Sequence, residues 1–246
     1  MGRADRLIHA ARRLSERAAS LRFAAPVTHV YDPLRHAGRG YRRYVRRFGE
    51  GRKRVVFLGM NPGPWGMTQT GVPFGEVAAV RDWMGIEERI DRPTNEHPRR
   101  PVEGFACARS EVSGARLWGA IAGHWGQPES FFESHFVSNY CPLVFMEASG
   151  RNRTPDKLPV AEREGLYAVC DDHLRRVVEI LDPEWIVGVG HFAETRARGV
   201  FGDAGPKIGR VLHPSPASPR ANRDWAATAA REMRALGLCG RGARRS

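Results

Sequence analysis

Three polar residues follow apolar runs at widely separated points of this 246-residue chain. Asn61 and Asn139 each carry a carboxamide, which both donates and accepts hydrogen bonds, and His213 carries an imidazole that can do either. Together such groups can bind a neutral polar ligand and stabilise charge that develops on it. Taken singly, each has an ordinary structural explanation, because asparagine often begins or caps a turn and a histidine can be hydrogen-bonded within a core.

Four short apolar segments alternate with helical patterns and predict the framework that positions these residues. The segments are residues 55–58, 131–138, 184–190 and 209–212. Their order predicts an α/β fold, in which a parallel sheet carries helices on both faces. Because the carboxyl ends of parallel strands lie at one edge of a sheet, we expect Asn61, Asn139 and His213 to converge there, where open α/β sheets bind ligands.

The loop after the first predicted strand, residues 59–75, is rich in glycine and proline. Proline stiffens a loop, and glycine lets its backbone pass close to a ligand. Asn61 lies among these residues, and Phe74 offers a flat apolar ring near the end of the loop. The composition therefore predicts a rigid loop that borders a ligand site.

Overall composition limits the class of protein. Hydrophobic residues make up 41% of the chain, which predicts a globular protein. No apolar run is long enough to span a membrane. The N-terminus has neither the apolar segment of a signal peptide nor the serine or threonine that a myristoylation site requires. We therefore expect an intracellular protein that does not bind membranes.

The four cysteines, at positions 107, 141, 170 and 239, are scattered along the chain. None forms a Cys-x-x-Cys pair, so the sequence does not indicate a zinc ribbon or a redox dithiol. The spacing also argues against an iron–sulfur cluster. We expect reduced, partly buried thiols, and we expect neither a metal nor a cofactor.

The net charge of +12 is concentrated near the N-terminus. Residues 1–54 hold 15 of the 39 lysines and arginines but only 4 of the 27 acidic residues. A positive field of this kind favours nucleic acid or another polyanion. Arginine greatly outnumbers lysine, however, and a GC-rich genome would produce the same bias, so charge alone leaves both explanations open.

The N-terminal charges lie on two predicted amphipathic helices. Residues 4–20 have apolar side chains at helical spacing, and residues 41–48 place Tyr41, Tyr44 and Phe48 on one face and arginines on the others. The basic faces either contact DNA phosphates or are simply solvated. We predict a basic helical extension over residues 1–25, one domain over residues 26–239 and a short basic tail over residues 240–246.

Several segments resemble the single-strand-selective monofunctional uracil-DNA glycosylases. GMNPGPWGMTQTGVPFGEV, from Gly59, resembles the first motif of that family, and SNYCPL at 138–143 resembles its uracil-recognition segment. SGRNRTP at 149–155, VGVG at 187–190 and HPSP at 213–216 are similar to further family segments. The resemblance covers roughly residues 28–238, nearly the whole chain.

The resemblance implies a three-layer α/β sandwich with a central parallel four-stranded sheet flanked by helices. The implied activity is hydrolysis of the N-glycosidic bond of uracil in single- and double-stranded DNA, which leaves an abasic site without cutting the strand. Excision of 5-hydroxymethyluracil and related bases is also implied. The protein would act as a monomer, in the cytoplasm and nucleoid of a bacterium or the nucleus of a eukaryote.

The resemblance also implies roles for individual residues. Asn61 would position the attacking water and His213 would bind uracil O2, as the two catalytic residues. Phe74 would stack on the flipped base and Asn139 would bind its N3–H and O4. The other two substrate-binding residues are Met60, through its backbone, and Gly63, which would leave space beside C5.

The loop after His213 is the part that would contact DNA. Its predicted DNA-binding residues are Pro214, Ser215, Pro216, Ala217, Ser218 and Arg220. Members of the family often carry arginine at the position of Ala217, where the loop wedges into a duplex. Arg220, three residues further on, is a candidate to replace it.

Two other functions remain as alternatives. A damaged-base-binding module with a glycosylase fold would bind without cleaving, although Asn61 and His213 together argue against it. A nucleotide-binding metabolic protein would carry a phosphate loop such as GxxxxGK[ST] or GxGxxG after the first strand, and the sequence has neither.

Overall fold

The computed structural model describes residues 1–238, and the predicted tail at 240–246 lies outside that range. The helices are α1 (Arg3–Ala18), α2 (Pro33–His36), α3 (Gly38–Phe48), α4 (Met67–Thr70), α5 (Val112–Trp125), α6 (Pro128–Phe132), α7 (Val160–Leu181), α8 (His191–Phe201) and α9 (Pro219–Ala235). The strands are β1 (Val27–Tyr31), β2 (Val55–Gly59), β3 (His135–Asn139), β4 (Val144–Glu147), β5 (Asn152–Arg153), β6 (Trp185–Val189) and β7 (Lys207–Val211).

The predicted parallel sheet is confirmed, with the strand order β3-β2-β6-β7. Strands β2 and β3 are buried along their whole length, as expected for strands covered on both faces. Side chains such as Phe57 and Val187 pack with residues of α5 and α9, whereas Leu58 and Ile186 pack with residues of α7 and α8. The helices thus form a layer on each side of the sheet, which gives the three-layer sandwich.

A second, antiparallel sheet has the order β1-β4-β5 and was not predicted. Its strands are short, and β4, Val144-Phe-Met-Glu, is too nearly apolar to show the alternation that identifies a half-buried strand. Within the family-like segment 149–155, residues 152 and 153 pair with β4. This pairing fixes the position of Asn152, which matters for the site.

Two element boundaries differ from the sequence prediction. Phe131 and Phe132 were assigned to the second strand, but they end helix α6, which begins at Pro128. Proline is favoured in the first turn of a helix, and both rings are buried. Strand β3 consequently begins only at His135. A short helical segment follows the glycine- and proline-rich loop and contains a π-helical turn over Ala79–Trp83.

The N-terminal helix packs into the main core. Leu7, Ala11 and Leu14 are buried, and α1 packs against α7 and α3. The Glu50 carboxylate accepts hydrogen bonds from the backbone N–H groups of Arg3 and Ala4, at 3.2 and 3.1 Å, which satisfies free donors at the start of the helix. Helix α1 therefore shares a hydrophobic core with the rest of the chain. The domain boundary at residue 25 stays a prediction.

Helix α3 lies against the sheet by its aromatic face. Tyr41, Tyr44 and Phe48 are buried, and the Tyr44 hydroxyl donates to the carbonyl of Val137 in β3 at 2.9 Å. The arginines on its other faces are exposed.

Along residues 1–238, no helix is both long and apolar enough to cross a membrane.

Candidate active site

A cleft of about 490 Å³ opens at the carboxyl ends of the central strands. It is lined by Met60, Asn61, Pro62, Gly63, Phe74, Glu111, Ser113, Asn139, Asn152, Thr154, His213, Ser215, Ala217 and Ser218. The sheet thus brings together all three polar residues that the sequence placed at strand ends, together with Met60, Gly63 and Phe74.

The ends of β2 and β3 hold the two asparagines in a fixed relation. Gly59 and Asn139 are partners in the parallel ladder, and the pairing continues past the strand ends. The carbonyls of Gly59 and Met60 accept hydrogen bonds from the backbone N–H groups of Tyr140 and Cys141, both at 2.9 Å. The backbone on either side of Asn61 and Asn139 is therefore part of the rigid sheet.

The amide nitrogen of the Asn61 side chain is hydrogen-bonded to the protein backbone. Its Nδ2 donates to the carbonyls of Leu143, at 3.0 Å, and Pro62, at 3.3 Å. These bonds fix the amide plane and leave Oδ1 as the acceptor that is not engaged by them. Since Asn61 lines the cleft, this oxygen can accept a hydrogen bond from a ligand or a water.

The Asn139 side chain holds an unpaired acceptor. Its Nδ2 donates to the weakly accepting Sδ of Met67 at 3.4 Å, whereas its Oδ1 is buried without a hydrogen-bond partner in the described chain. A buried oxygen of this kind costs about 1–3 kcal/mol unless a ligand or water satisfies it. The cleft therefore carries an unused acceptor.

Gly59 makes room for both Asn139 and the Phe74 ring. A Cβ at Gly59 would lie 2.3 Å from Asn139 Oδ1 and 2.5 Å from Cε2 of Phe74, far inside van der Waals contact. Any side chain at this strand position would displace the amide or the ring. Glycine at the end of β2 is thus a packing requirement of the site.

Phe74 is held in an unusual backbone conformation. Its φ of 53° lies in the left-handed region, which costs a non-glycine residue about 1 kcal/mol or more. Two donors secure the conformation, since the Phe74 carbonyl accepts from the indole N–H of Trp118 at 3.0 Å and from the Glu76 N–H at 2.7 Å. The ring centroid lies 6.1 Å from that of His213, across the cleft.

The proton on His213 can be assigned from its neighbours. The backbone N–H of Ser215 donates to Nδ1 at 3.1 Å, so Nδ1 is the acceptor and a neutral ring carries its proton on Nε2. Burial lowers the pKa of His213 to about 4, which keeps the ring neutral near pH 7. His213 therefore enters the cleft as a neutral Nε2–H donor.

Buried polar side chains explain the rigidity predicted for the loop. Thr68, Gln69 and Thr70 of α4 are fully buried. The amide of Gln69 donates to the carbonyls of Pro64 and Pro101, at 2.9 and 3.0 Å, and accepts from two backbone N–H groups. These bonds fix the loop from behind the cleft, and no pattern in the sequence had identified them.

The loop after β7 borders the cleft. Ser215, Ala217 and Ser218 line the cleft, and Ser218 also caps helix α9. Pro214 and Pro216 hold the loop, because their carbonyls accept from Arg116, at 3.1 Å, and from Asn222, at 2.8 Å.

Arg220 is not part of the cleft lining. Its guanidinium lies on the first turn of α9, 3.7 Å from Glu232, and the side chain is exposed. The role of Arg220 as a replacement for the wedge arginine stays a prediction.

Five lining residues were not predicted as site residues from the sequence: Pro62, Glu111, Ser113, Asn152 and Thr154. Glu111 is the most unusual of them, because its Oε2 is buried and has no hydrogen-bond partner among the described residues. Burial, with a smaller contribution from the neighbouring Glu76, raises the pKa of Glu111 to about 7. The carboxyl group is therefore partly protonated near neutral pH.

Glu111→Gln should stabilise the protein above pH 7. The folded pKa is raised, so this carboxyl destabilises the fold increasingly as pH rises from 4.5 to about 7, and fully above that. We expect a gain on the order of 3 kcal/mol at pH 8 and almost none at pH 4, measured by thermal unfolding. Glu87→Gln, at an exposed position, is the control. An equal gain at both pH values would contradict the assignment.

The cleft offers hydrogen-bonding side chains and an aromatic ring rather than a metal site. Within residues 1–238, no group of three or more His, Cys, Asp or Glu side chains is placed to hold a metal ion. The three free cysteines of this range, Cys107, Cys141 and Cys170, are buried, and Cys239 lies outside it. Site and fold thus define an α/β protein whose cleft is complementary to a planar, neutral, hydrogen-bonding ligand.

Sequence comparison places the chain in a known group. Residues 46–234 match the Uracil DNA glycosylase superfamily, to which the chain belongs. Within it, the chain belongs with the single-strand selective monofunctional enzymes. It is 50% identical to the "Single-strand selective monofunctional uracil DNA glycosylase" of Bos taurus over 228 residues, which are 92% of this chain and 84% of that protein.

Another relative and a solved structure agree with this placement. The protein of the same description from Rattus norvegicus is 49% identical over 228 residues, covering 92% of this chain and 82% of the relative. The crystal structure of wild-type Pedobacter heparinus SMUG2 superimposes with a TM-score of 0.74 at 17% identity, covering 96% of this chain and 97% of that one. At that identity the superposition shows a shared fold only.

Proposed function

We propose that this protein is a monofunctional uracil-DNA glycosylase of base excision repair. The observation that supports the proposal most directly is the unpaired Asn139 acceptor, which shares a cleft with the neutral His213 donor. Uracil is a planar ring with one N–H between two carbonyls, and it complements these groups. An enzyme must take the base out of the stack to reach its sugar bond, and glycosylases are the standard example of base flipping.

Asn139 is proposed to read the base. Its unpaired Oδ1 accepts a hydrogen bond from uracil N3–H. Its Nδ2 donates to uracil O4 in place of the weak hydrogen bond to the Met67 sulfur. Cytosine reverses both groups and would leave buried atoms unpaired, a mismatch that can discriminate by roughly 10⁴ or more. Phe74, held by its clamped backbone, stacks on the ring.

His213 is proposed to stabilise the leaving base. When the C1′–N1 bond breaks, its electrons remain with the base, and negative charge develops on O2. A neutral Nε2–H aimed at O2 strengthens its hydrogen bond as that charge grows. Ser215, by donating to Nδ1, keeps the proton on the nitrogen that faces the base. Backbone N–H groups near Met60 and Phe74 are further candidates for donors.

Asn61 is proposed to hold the attacking water. Its Oδ1 accepts from the water because its Nδ2 is bound to the Leu143 carbonyl. An amide is not basic, so it orients the water without removing its proton. The sugar therefore becomes cation-like before the water adds to C1′, and the water proton passes to solvent or to the departing base.

The substrate range is proposed to include 5-hydroxymethyluracil and related bases. Gly63 lines the cleft without a side chain, and the group nearest to a Cβ built there is the Glu111 carboxyl, at 3.0 Å. The protein is proposed to act as a monomer on single- and double-stranded DNA. Such an enzyme works in the cytoplasm and nucleoid of a bacterium or in the nucleus of a eukaryote.

The test is an abasic-site assay on oligonucleotides that contain one uracil, in single- and double-stranded form. We expect the DNA strand to be cut only after treatment with alkali or with an enzyme that cleaves abasic sites. The rate of uracil release should be the same when EDTA is present. Binding to uracil DNA without abasic sites would instead support the non-catalytic module, and strong inhibition by chelator would contradict the proposed chemistry. Matched cytosine and thymine oligonucleotides are the controls.

A further inference from the structure

Four arginines lie in segments beside the cleft, and two of them lie over the Trp65 indole. The guanidinium carbons of Arg100 and Arg109 lie 5.3 and 4.7 Å from the ring centroid of Trp65, within cation–π distance. A Cβ at Gly150 would lie 3.3 Å from both Arg99 Cβ and Arg100 Cζ, so the loop that carries Arg151 packs against the same group. We call Trp65, Arg99, Arg100, Arg109 and Arg151 the arginine cluster.

The cluster carries charge that the protein does not neutralise. Among residues 1–238 the ion pairs on nearby segments use other arginines, such as Arg153 with Glu147 and Arg92 with Glu96. One guanidinium nitrogen of Arg100 donates a hydrogen bond to the backbone carbonyl of Arg99. The Nε of Arg100 is buried and has no hydrogen-bond partner among the described residues. Glu103 and Arg109 both interact with the Cys107 thiol, so one carboxylate lies at the edge of the cluster, and the four arginines outnumber it.

Three of the four chain segments that form the cluster also contribute to the cleft. Trp65 lies two residues after Gly63, Arg109 two residues before Glu111, and Arg151 is next to Asn152, and those three neighbours line the cleft. The loop of residues 214–218 borders the cleft through other residues, Ser215 and Ala217. The cleft therefore has the cluster along one border and that loop along another.

We propose that the arginine cluster is a phosphate-binding site for the DNA strand on one side of the flipped nucleotide. This inference rests on the proposed function, because the flipped base must already occupy the cleft for its neighbours to reach the cluster. Guanidinium groups bind phosphate oxygens in a planar, bidentate manner. The indole of Trp65 stacks two of them and so restricts their motion before the DNA binds.

The position of the cluster indicates a single-stranded path. Arg99, Arg109 and Arg151 are exposed and Trp65 is half-buried, so the site is a surface that one backbone can follow rather than a closed pocket. Basic surfaces with aromatic side chains are the usual means of holding single strands without regard to sequence. No contact to a second strand is needed.

The test removes three charges from the cluster and, in a control, three charges from elsewhere. The cluster variant is R99Q/R109Q/R151Q, and the control is R175Q/R231Q/R234Q, at exposed positions of α7 and α9 outside the cleft lining. Binding of an undamaged single-stranded oligonucleotide is measured at several salt concentrations, so the result does not depend on uracil excision. Thermal unfolding verifies that both variants are folded.

We expect the cluster variant to bind about tenfold more weakly or worse at 0.1 M salt, with a logarithmic salt slope smaller by about 0.7 for each phosphate that it no longer neutralises. The control should retain most of the wild-type slope. Oligonucleotides shortened on the 5′ or 3′ side of a uracil should lose affinity for the wild type on one side only, and that difference should vanish in the cluster variant. Equal losses in both variants, or no loss in the cluster variant, would overturn the proposal.

Discussion

His213→Ala and Asn61→Ala should each slow single-turnover uracil release by about 10²–10³, the usual effect of removing one aligned transition-state interaction. Neither side chain belongs to the apolar core, so both variants should fold. Asn61→Ala should still bind uracil DNA, because the base contacts of Asn139, Phe74 and His213 remain. The two variants should therefore look similar in rate and differ in what restores them.

A better leaving group distinguishes the two roles. Fluorine at C5 stabilises the anion of the departing base, so 5-fluorouracil needs less help at O2. It should partly restore the rate of His213→Ala and restore Asn61→Ala less. Single-turnover rates for uracil and 5-fluorouracil in the same oligonucleotide give the comparison. Equal restoration of both variants, or none, would show that the leaving-group role belongs to another residue.

Asn139→Asp should reduce uracil excision by roughly 10⁴, the scale on which a hydrogen-bonding site rejects a ligand that leaves its polar groups unpaired. An ionised carboxylate still accepts from N3–H but cannot donate to O4. In its protonated form it becomes complementary to cytosine, so some activity on cytosine should emerge as pH falls. Rates on paired uracil and cytosine oligonucleotides between pH 5 and 8 measure both effects.

Asn95→Asp is the matched control for this substitution, because Asn95 is exposed and lies outside the cleft lining. It introduces the same charge without touching the site and should keep nearly the wild-type rate. Unchanged uracil kinetics in Asn139→Asp would remove Asn139 from base recognition.

The central sheet was predictable because its strands are short apolar runs, three of which are followed by a polar residue. Strands β2, β6 and β7 were located within two residues of their observed bounds. The second sheet was not predictable, since β5 has only two residues and is defined by its pairing with β4 rather than by its own composition. Helix α6 was missed because two adjacent phenylalanines suit a buried strand as well as a buried helix end.

The site was predictable where its residues lie in chemically unusual sequence. Asn61 and Phe74 stand in a loop whose glycines and prolines attract notice, and His213 follows a strand directly. Glu111 lies far along the chain, and only the tertiary fold brings its carboxyl beside Gly63. Nothing local distinguishes it from a solvated glutamate, just as nothing local shows that Gln69 is buried.

The unpaired Asn139 oxygen has a consequence for product release. Free uracil presents the same N3–H as the base in DNA, so it satisfies the same buried acceptor that the empty cleft leaves unsatisfied. A ligand that binds only the folded state stabilises it by RT ln(1 + [L]/Kd), which grows with the ligand concentration. Free uracil should therefore compete with substrate and protect the protein from unfolding, and its departure restores the cost of the empty acceptor at the end of every turnover.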